Sequence, residues 1–285
     1  MVSRSELFAQ CEETLTAAGN PDARFDTLCI MQDTLGDRNP LFMPLEAVSP
    51  EHEKTVRELA ARRAEGYPLQ YLLGEWEFYG CPMKVGEGVL IPRPDTETLV
   101  DAAIELCRER GLISPRIADL CSGSGCIAVA LGKEIPGSEV TAIELSGAAF
   151  SYLTQNIALN RSAVKALQAS VLDEETARSF TELDMIVSNP PYLTAQEMAE
   201  LQKEVRFEPE SALAAGGDGL SFYRAIPALW RGSLKTGGII AFEVGDRQHE
   251  DVARILSESG FGNISFRHDA AGIARVVTAV KQEEL

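Results

Sequence analysis

The stretch of sequence that decides the fold runs from Asp119 to Cys126 and reads DLCSGSGC. It follows a short apolar segment, residues 116–120, and it opens a second apolar segment, residues 125–134. Glycines at a strand-to-helix turn let the backbone approach a ligand and point amide groups at it. The core here is Gly-Ser-Gly, shorter than the dinucleotide fingerprint, so a tight turn without a ligand remains an alternative for this motif taken alone.

Strands and helices alternate on both sides of this loop. The pattern predicts strands at 116–120, 139–144, 164–169, 184–188, 238–244, 262–267 and 274–280, and helices at 125–134, 147–159, 195–204, 220–235 and 247–259. Such alternation indicates a mainly parallel sheet with helices on both faces. The segment between the last two strands, 269–272, is too short for a helical crossover, so these strands should pair antiparallel. The predicted class is α/β, a Rossmann-like domain with a seven-stranded, mainly parallel sheet and an antiparallel last strand.

The chain before this domain has a different character. Residues 1–75 predict a small domain of three helices, which begin near Ser3 or Ser5, after Pro21, and at Ser49. Residues 76–92 are rich in aromatic and β-branched residues broken by glycines, which predicts a β-hairpin linker. The Rossmann-like domain should occupy 93–285. Its first helix should begin after Asp95 or Thr96, because the prolines at 92 and 94 disfavour helix there.

Composition narrows the function classes. The 285 residues carry a formal net charge of −17, which argues against a broad nucleic-acid surface. The six cysteines form no Cys-x-x-Cys pair and only three histidines are present, so no metal site is expected. No signal peptide and no apolar stretch of about 18 residues is recognisable, so we expect a cytoplasmic protein that does not bind membranes.

An acidic residue stands where a nucleoside ligand would need one. The second strand ends at Glu144, about 20 residues after the glycine loop, where a carboxylate accepts hydrogen bonds from both ribose hydroxyls of an adenosyl ligand. On the third strand, Val171 is the expected apolar neighbour of the adenine ring. Either Ser170 or Asp173 could contact the adenine, although Asp173 could equally be a helix cap.

The segment Asn189-Pro190-Pro191-Tyr192 directly follows the strand at 184–188. In an open α/β sheet, ligands bind beyond the carboxyl ends of the strands, so the segment should lie beside the glycine loop. Two consecutive prolines fix the backbone and leave carbonyl oxygens free to accept hydrogen bonds. The Asn189 side-chain carbonyl and the Pro190 main-chain carbonyl could orient a poorly nucleophilic amide or amino nitrogen, and Tyr192 could stack on its planar group. A rigid proline turn without chemistry is the alternative.

Several further runs of sequence resemble the release-factor glutamine N(5)-methyltransferase family. They are PLQYLLG at 68–74, EFYG at 77–80, VLIPRPDTE at 89–97, EVRFEP at 204–209, GGDGL at 216–220, FEVG at 242–245 and ARVV at 274–277. The runs span about residues 66–280 in the order found in the family. The resemblance implies a Rossmann-like S-adenosylmethionine methyltransferase domain preceded by a helical domain that grips the substrate protein.

The resemblance also implies specific roles for residues. S-adenosylmethionine would be bound by nine residues: Asp119, Cys121, Ser122, Gly123, Ser124, Gly125, Glu144, Val171 and Asn189. Asn189, Pro190, Pro191 and Tyr192 would hold the glutamine of the Gly-Gly-Gln loop of peptide-chain release factors, and Ile91, Pro92 and Arg93 would form a wall of the pocket.

Three positions depart from the family pattern. Glu144 replaces the commoner Asp, Ser170 stands in place of an acid, and Cys121 stands where many members have Gly. The side chain at Cys121 predicts a backbone without positive φ.

Three function classes remain open from sequence. The first is the release-factor glutamine methyltransferase. The second is a relative that methylates a ribosomal-protein glutamine or an adenine amino group in nucleic acid. The third is a silent protein that only binds the cofactor, which the intact Asn-Pro-Pro-Tyr segment disfavours.

Overall fold

The computed structural model describes residues 1–283 of the chain. They form two compact units, residues 1–75 with 202–207 and residues 76–201 with 208–285, the last two of which lie outside the described part. Each unit has its own buried apolar core. No helix within the described residues is long and apolar enough to cross a membrane.

The first unit is helical. Its helices are α1 (Arg4–Ala17), α2 (Ala23–Leu35), α3 (Pro50–Ala64) and α4 (Leu69–Leu73). Ser3 and Glu6 form a capping box at the start of α1, and Ser49 caps α3, as expected for helix N-termini. The three predicted helices are present, and the five-residue α4 was not predicted.

The hairpin is shorter than the sequence suggested. Strands β1 (Glu75–Phe78) and β2 (Cys81–Lys84) form a two-stranded sheet. They are joined by Tyr79 and Gly80, both of which have positive φ, as a tight two-residue turn requires. Residues 85–93 contain no strand, because glycines and prolines interrupt them.

The second unit contains a seven-stranded sheet. Its strands are β3 (Arg116–Leu120), β4 (Glu139–Glu144), β5 (Lys165–Gln168), β6 (Leu183–Ser188), β7 (Leu234–Glu243), β8 (Phe261–His268) and β9 (Ala274–Lys281). They lie in the order β5-β4-β3-β6-β7-β9-β8. The pairs from β5 to β7 are parallel, and β9 is antiparallel to both of its neighbours. The predicted Rossmann-like class with an antiparallel last strand is confirmed.

Eight helices accompany this sheet in the described residues. They are α5 (Pro94–Glu109), α6 (Cys126–Glu134), α7 (Gly147–Leu159), α8 (Glu174–Arg178), α9 (Ala195–Ala199), α10 (Glu210–Leu213), α11 (Ser221–Trp230) and α12 (His249–Glu258).

Several helix boundaries differ from the sequence prediction. Helix α11 ends at Trp230, where 235 was predicted, and α12 runs from His249 to Glu258, where 247–259 was predicted. Helix α5 begins at Pro94, earlier than expected, because proline suits the first helical position once Arg93 is extended. Helix α9 ends at Ala199 and does not reach residue 204. It has no buried residue, so it lacks the packed apolar face that normally sustains a longer helix.

The register of the sheet places four strand ends side by side. Leu120 of β3 pairs with Ile143 of β4 and with Ser188 of β6, and Ser188 pairs with Phe242 of β7. The residues that follow these strands therefore emerge at one edge, which is where α/β sheets bind ligands.

Candidate active site

A cavity opens at this edge of the sheet. Its lining comes from the segment before α5, which we call the wall segment, from the glycine loop, from the ends of β4, β5 and β6 with the residues that follow them, and from residues 209–222. These residues are Gly88, Val89, Leu90, Cys121, Gly123, Ile143, Glu144, Leu145, Ser146, Ala149, Ala169, Ser170, Val171, Leu172, Asn189, Pro191, Pro209, Ser211, Ala212 and Phe222. Six of the residues that were predicted to bind a ligand line the cavity: Cys121, Gly123, Glu144, Val171, Asn189 and Pro191. Seven others do not line it: Asp119, Ser122, Ser124, Gly125, Pro190, Tyr192 and Arg93.

The glycine loop is held by hydrogen bonds within the loop and to the neighbouring strand β4. The Ser122 amide donates to the Ile143 carbonyl at 3.0 Å, and the Gly125 amide donates to the Ser122 carbonyl at 2.8 Å. The Ser122 hydroxyl donates to the Asp119 carbonyl at 2.7 Å and accepts from the Ile143 amide at 3.0 Å. Gly123 and Gly125 both have positive φ, and the space that a side chain at Gly123 would enter is open.

The prediction that Cys121 needs no positive φ is wrong. Its φ is 60°, in the left-handed region that favours glycine. The backbone conformation is imposed by the turn from β3 into the loop, so the cysteine adopts it at a cost of about 1 kcal/mol. The thiol packs against the apolar core, and burial raises its pKa well above the usual value.

Glu144 reaches across the loop from the end of β4. One carboxylate oxygen accepts from the Gly123 amide at 2.8 Å, and the other accepts from the Ser146 amide at 2.7 Å. An ionised carboxylate has about four lone-pair positions, so each oxygen retains one for a further donor in the cavity.

Asp119 lies behind the loop and not at its surface. Its side chain is fully buried, and burial raises its pKa to about 7, against the lowering effect of the Ser122 hydroxyl and the Ala128 amide. Its position fits a support for the loop, with no direct access to the cavity.

The third strand contributes its end to the cavity. Val171 is buried and lines it, as does Ser170. The Asp173 carboxylate instead accepts from the backbone amides of Glu175 and Thr176, and so caps α8.

The segment Asn189 to Tyr192 is held by two side chains and one backbone carbonyl from other parts of the chain. The Asn189 amide nitrogen donates to the Thr96 hydroxyl at 3.3 Å, and the Gln248 amide nitrogen donates to the Tyr192 carbonyl at 3.1 Å. The Tyr192 amide donates to the Leu213 carbonyl at 3.2 Å. Burial raises the pKa of the Tyr192 hydroxyl well above its ordinary value, so the phenol is neutral.

The wall segment is anchored by a buried carboxylate. Glu208 is 6% exposed, accepts from the Ile91 amide at 3.0 Å and forms an ion pair with Arg93. Residues 88–90 line the cavity, whereas residues 91–93, which were predicted to form a wall of the pocket, are not among its lining residues.

Sequence reasoning missed several residues of this region. Phe222 and Pro209 line the cavity, and Thr96, Gln248 and Glu208 hold its parts in place. Thr96, Glu208 and Pro209 lie within sequence runs that were singled out without a role, whereas Phe222 and Gln248 lie just outside such runs and gave no signal. Among the described residues, no group of three or more His, Cys, Asp or Glu could hold a metal ion.

Two family models match the chain. Residues 99–220 match the family described as Methyltransferase small domain, and residues 6–74 match the PrmC N-terminal domain. The second match spans all four helices of the first unit except the start of α1.

The fold is shared with solved methyltransferases. The hMettl16 catalytic domain in complex with the MAT2A 3'UTR hairpin 6 has a TM-score of 0.57 at 18% identity, over 80% of this chain and 84% of that one. The T. thermophilus 16S rRNA N2 G1207 methyltransferase (RsmC), in complex with AdoMet and guanosine, has a TM-score of 0.52 at 19% identity, over 73% of this chain and 50% of that one. At these identities the likeness concerns the fold alone.

Curated relatives are much closer in sequence. A release factor glutamine methyltransferase from Fusobacterium nucleatum is 40% identical over 97% of this chain and 78% of the relative. Two further relatives carry the same name. The one from Thermodesulfovibrio yellowstonii is 39% identical over 87% of this chain and 89% of the relative, and the one from Geobacter sulfurreducens is 38% identical over 92% of this chain and 91% of the relative. Identity of this level over nearly the whole chain, together with the shared fold and both family matches, shows that the chain belongs to the release factor glutamine methyltransferase family.

Proposed function

We propose that the protein transfers a methyl group from S-adenosylmethionine to the side-chain amide nitrogen of the glutamine in the Gly-Gly-Gln motif of peptide-chain release factors. The observation that carries the proposal is the orientation of Asn189 in the cavity wall. Its amide nitrogen donates to Thr96, and Asn189 lines the cavity, so we infer that its carbonyl oxygen is the polar end available to a substrate.

The cavity residues fit S-adenosylmethionine. Glu144 keeps unused acceptor positions for ribose hydroxyls, and Val171 and Phe222 offer apolar surface for an adenine ring. Ser170 lines the cavity and Asp173 is occupied as a cap, so we assign the adenine contact to Ser170. Cys121 and Gly123 lie where the methionine part would run, and Asp119, Ser122, Ser124 and Gly125 would hold that loop in shape from behind.

The cofactor would supply an electrophilic methyl group on a sulfonium, whose carbon–sulfur bond breaks as the carbon–nitrogen bond forms. The chain's own part is to hold the nitrogen. The Asn189 carbonyl and the Pro190 carbonyl accept the two N–H bonds of the substrate amide, which favours positive charge on nitrogen and aims its lone pair. The surplus proton leaves the nitrogen for water after transfer, so no strong base is required. Tyr192, neutral and mostly buried, would flank the planar amide group.

The assignment of a protein substrate rests on the relatives and on charge. The relatives are named for glutamine in release factors, and a net charge of −17 disfavours a nucleic-acid substrate. We assign substrate recognition to the helical residues 1–75, the hairpin 76–92 to a linker and 93–285 to catalysis, with Arg93 beside the substrate. A release-factor substrate implies that the protein works in the cytoplasm.

The test is methyl transfer with a matched substrate. Purified protein and radiolabelled S-adenosylmethionine are incubated with an unmethylated release factor and, in parallel, with its Gln→Ala variant at the Gly-Gly-Gln motif. Label should enter the first and not the second. Equal labelling of both, or labelling only of added ribosomal proteins or nucleic acid, would overturn the proposal.

A further inference from the structure

The end of β7 carries a buried carboxylate that the methyl-transfer chemistry does not require. Glu243 is 3% exposed, and within residues 1–283 its Oε2 atom has no hydrogen-bond partner. Because Ser188 pairs with Phe242, the next residues along each strand, Asn189 and Glu243, emerge side by side. Burying a carboxylate costs several kcal/mol unless neighbouring groups compensate, so its presence beside Asn189 calls for a physical reason.

Two of the groups that act on Glu243 are the Thr96 hydroxyl and the Asn189 carboxamide, which are hydrogen-bonded to each other. The Thr96 hydroxyl, itself buried, accepts from the Asn189 amide nitrogen, and its proton is then free for the carboxylate. Burial raises the pKa of Glu243 to about 7, while the donor groups of Thr96 and Asn189 and the charge of Arg275 act in the opposite direction. Asn189, Thr96 and Glu243 therefore form one connected group, which we call the amide anchor.

The two ends of a carboxamide are chemically opposite but nearly equal in shape. One end donates two hydrogen bonds and the other accepts, and an ionised carboxylate only accepts. A carboxylate behind Asn189 therefore selects the orientation in which the nitrogen faces inward and the oxygen faces the cavity. In the reverse orientation the Asn189 N–H groups would face the N–H groups of the substrate glutamine, and two donors cannot form a hydrogen bond with each other.

We propose that Glu243 is a positioning residue that, with Thr96, holds the Asn189 carboxamide with its oxygen towards the substrate nitrogen. The inference rests on the proposed function for its consequence in catalysis, although the orientation itself is a property of the free protein. Glu243 is not among the residues that line the cavity, so it would act through Asn189.

The experiment combines the variant Glu243→Gln with Asn189→Ala. Glutamine keeps the shape of the side chain but presents a donor as readily as an acceptor, so it no longer selects an orientation. We expect kcat to fall about tenfold or more, in line with the loss of a hydrogen bond to a charged group, and KM and Kd for S-adenosylmethionine to change by less than about twofold. In the Asn189→Ala background, the same substitution should change kcat by less than about twofold. An equal loss in both backgrounds, or none in either, would overturn the inference.

A second measurement is independent of catalysis. In the nitrogen-15 NMR spectrum of the free protein, the Asn189 side-chain amide protons should exchange slowly with solvent, and this protection should be lost in Glu243→Gln and reduced in Thr96→Val. Glu139→Gln, at an exposed position, is the matched control and should leave it unchanged. Protection that persists in Glu243→Gln contradicts the inference. If the wild-type protein methylates no release factor, the proposed function fails, while this spectrum still decides the role of Glu243.

Discussion

The two loops of the candidate active site are built in opposite ways. The glycine loop after β3 turns through left-handed backbone at Cys121, Gly123 and Gly125, and its polar groups are satisfied almost entirely by each other and by the neighbouring strand β4. The segment Asn189 to Tyr192 after β6 is stiffened by two prolines and contributes few internal hydrogen bonds. It is held by Thr96, Leu213 and Gln248, which lie far away in sequence.

The difference matches the tasks proposed for them. A cofactor with many polar groups can be gripped by a local cradle of backbone amides and one carboxylate, and small errors in each contact are tolerated. A single nitrogen that must be aimed at a methyl group needs acceptors fixed to within a fraction of an ångström. Stiffness and remote anchors supply that accuracy. The comparison therefore predicts that damage to the glycine-loop side weakens cofactor binding, whereas damage to the Asn189 side slows transfer.

The largest effect is expected at Asn189. The variant Asn189→Ala removes one of the two acceptors for the substrate nitrogen, so kcat should fall about 10²-fold or more, the scale seen on loss of one oriented polar group. The Kd for S-adenosylmethionine, measured by isothermal titration, should change much less. A collapse of cofactor affinity would instead make Asn189 mainly a cofactor ligand.

At Glu144 we expect a loss of cofactor affinity with little change in kcat. The variant Glu144→Ala removes the acceptors proposed for the ribose hydroxyls and frees the Gly123 amide. Loss of hydrogen bonds to a charged group should raise the cofactor Kd roughly 10- to 100-fold, while kcat at saturating cofactor stays within about threefold. Glu144→Asp, which restores the carboxylate on a shorter arm, should recover part of the affinity. A kcat loss as large as that of Asn189→Ala would erase the distinction between the two loops.

The pH dependence tests the amide anchor. Glu243 has its pKa raised to about 7 by burial, so its carboxylate is ionised above that pH and protonated below it. The charged groups that face it are Arg275, which favours ionisation, and Asp95, which opposes it; Tyr192, Tyr223 and Cys126 are neutral, because the pKa of each is raised by burial. The kcat should therefore fall as pH drops through about 7 and level off, about tenfold lower, near the value of Glu243→Gln. In Glu243→Gln this limb should disappear, and its persistence there would assign the titration to another group.

A smaller effect is expected at Gln248. Its side chain bridges the Tyr192 carbonyl and the Gly245 amide, which it meets at 3.1 Å and 3.0 Å. Gln248→Ala removes both hydrogen bonds, each worth about 1 kcal/mol, from the far end of the segment, so we expect a kcat loss of roughly fivefold. Gln248→Glu keeps the bond from the Gly245 amide, so its kcat should lie between that of Gln248→Ala and that of the wild type. An unchanged rate would mean that the prolines alone fix the segment.

The smallest effect is expected at Cys121. A glycine at this position would relieve the strain of the left-handed backbone, about 1 kcal/mol, which stabilises the folded protein. It would also remove the packing of the thiol and increase the entropy of the unfolded chain, and both of these destabilise the folded protein. These terms oppose each other, so Cys121→Gly should change the free energy of unfolding by less than about 1 kcal/mol in urea titration. A Cys121→Val variant cannot escape the strain and should be clearly less stable.

The same contrast explains what the sequence could predict. The glycine loop, Glu144 and the Asn-Pro-Pro-Tyr segment are local patterns at strand ends, and three of the strand and helix ranges were predicted to the residue, as at Arg116–Leu120 and Glu139–Glu144. The remote anchors carry no local signal. Thr96 is separated from Asn189 by 93 residues, and only the folded chain brings its hydroxyl to that side chain.

Local rules also misled where tertiary structure overrides them. A cysteine ordinarily avoids positive φ, yet the turn after β3 imposes it on Cys121. The prolines around Arg93 predict a later helix start, yet Pro94 begins α5, and Arg93 forms an ion pair with Glu208. At Cys121 the turn decides the backbone conformation, whereas the ion-pair partner of Arg93 lies 115 residues away in sequence.

The central claim, transfer of a methyl group to a glutamine amide nitrogen, is tested most directly by locating the product group. A release factor treated with the protein and S-adenosylmethionine is digested, and the peptide that contains the Gly-Gly-Gln motif is fragmented by mass spectrometry. The account predicts the added mass of one methyl group on the side-chain nitrogen of that glutamine, and none when Asn189→Ala replaces the wild type over the same time. A methyl group on any other residue, or on the peptide backbone, would contradict it.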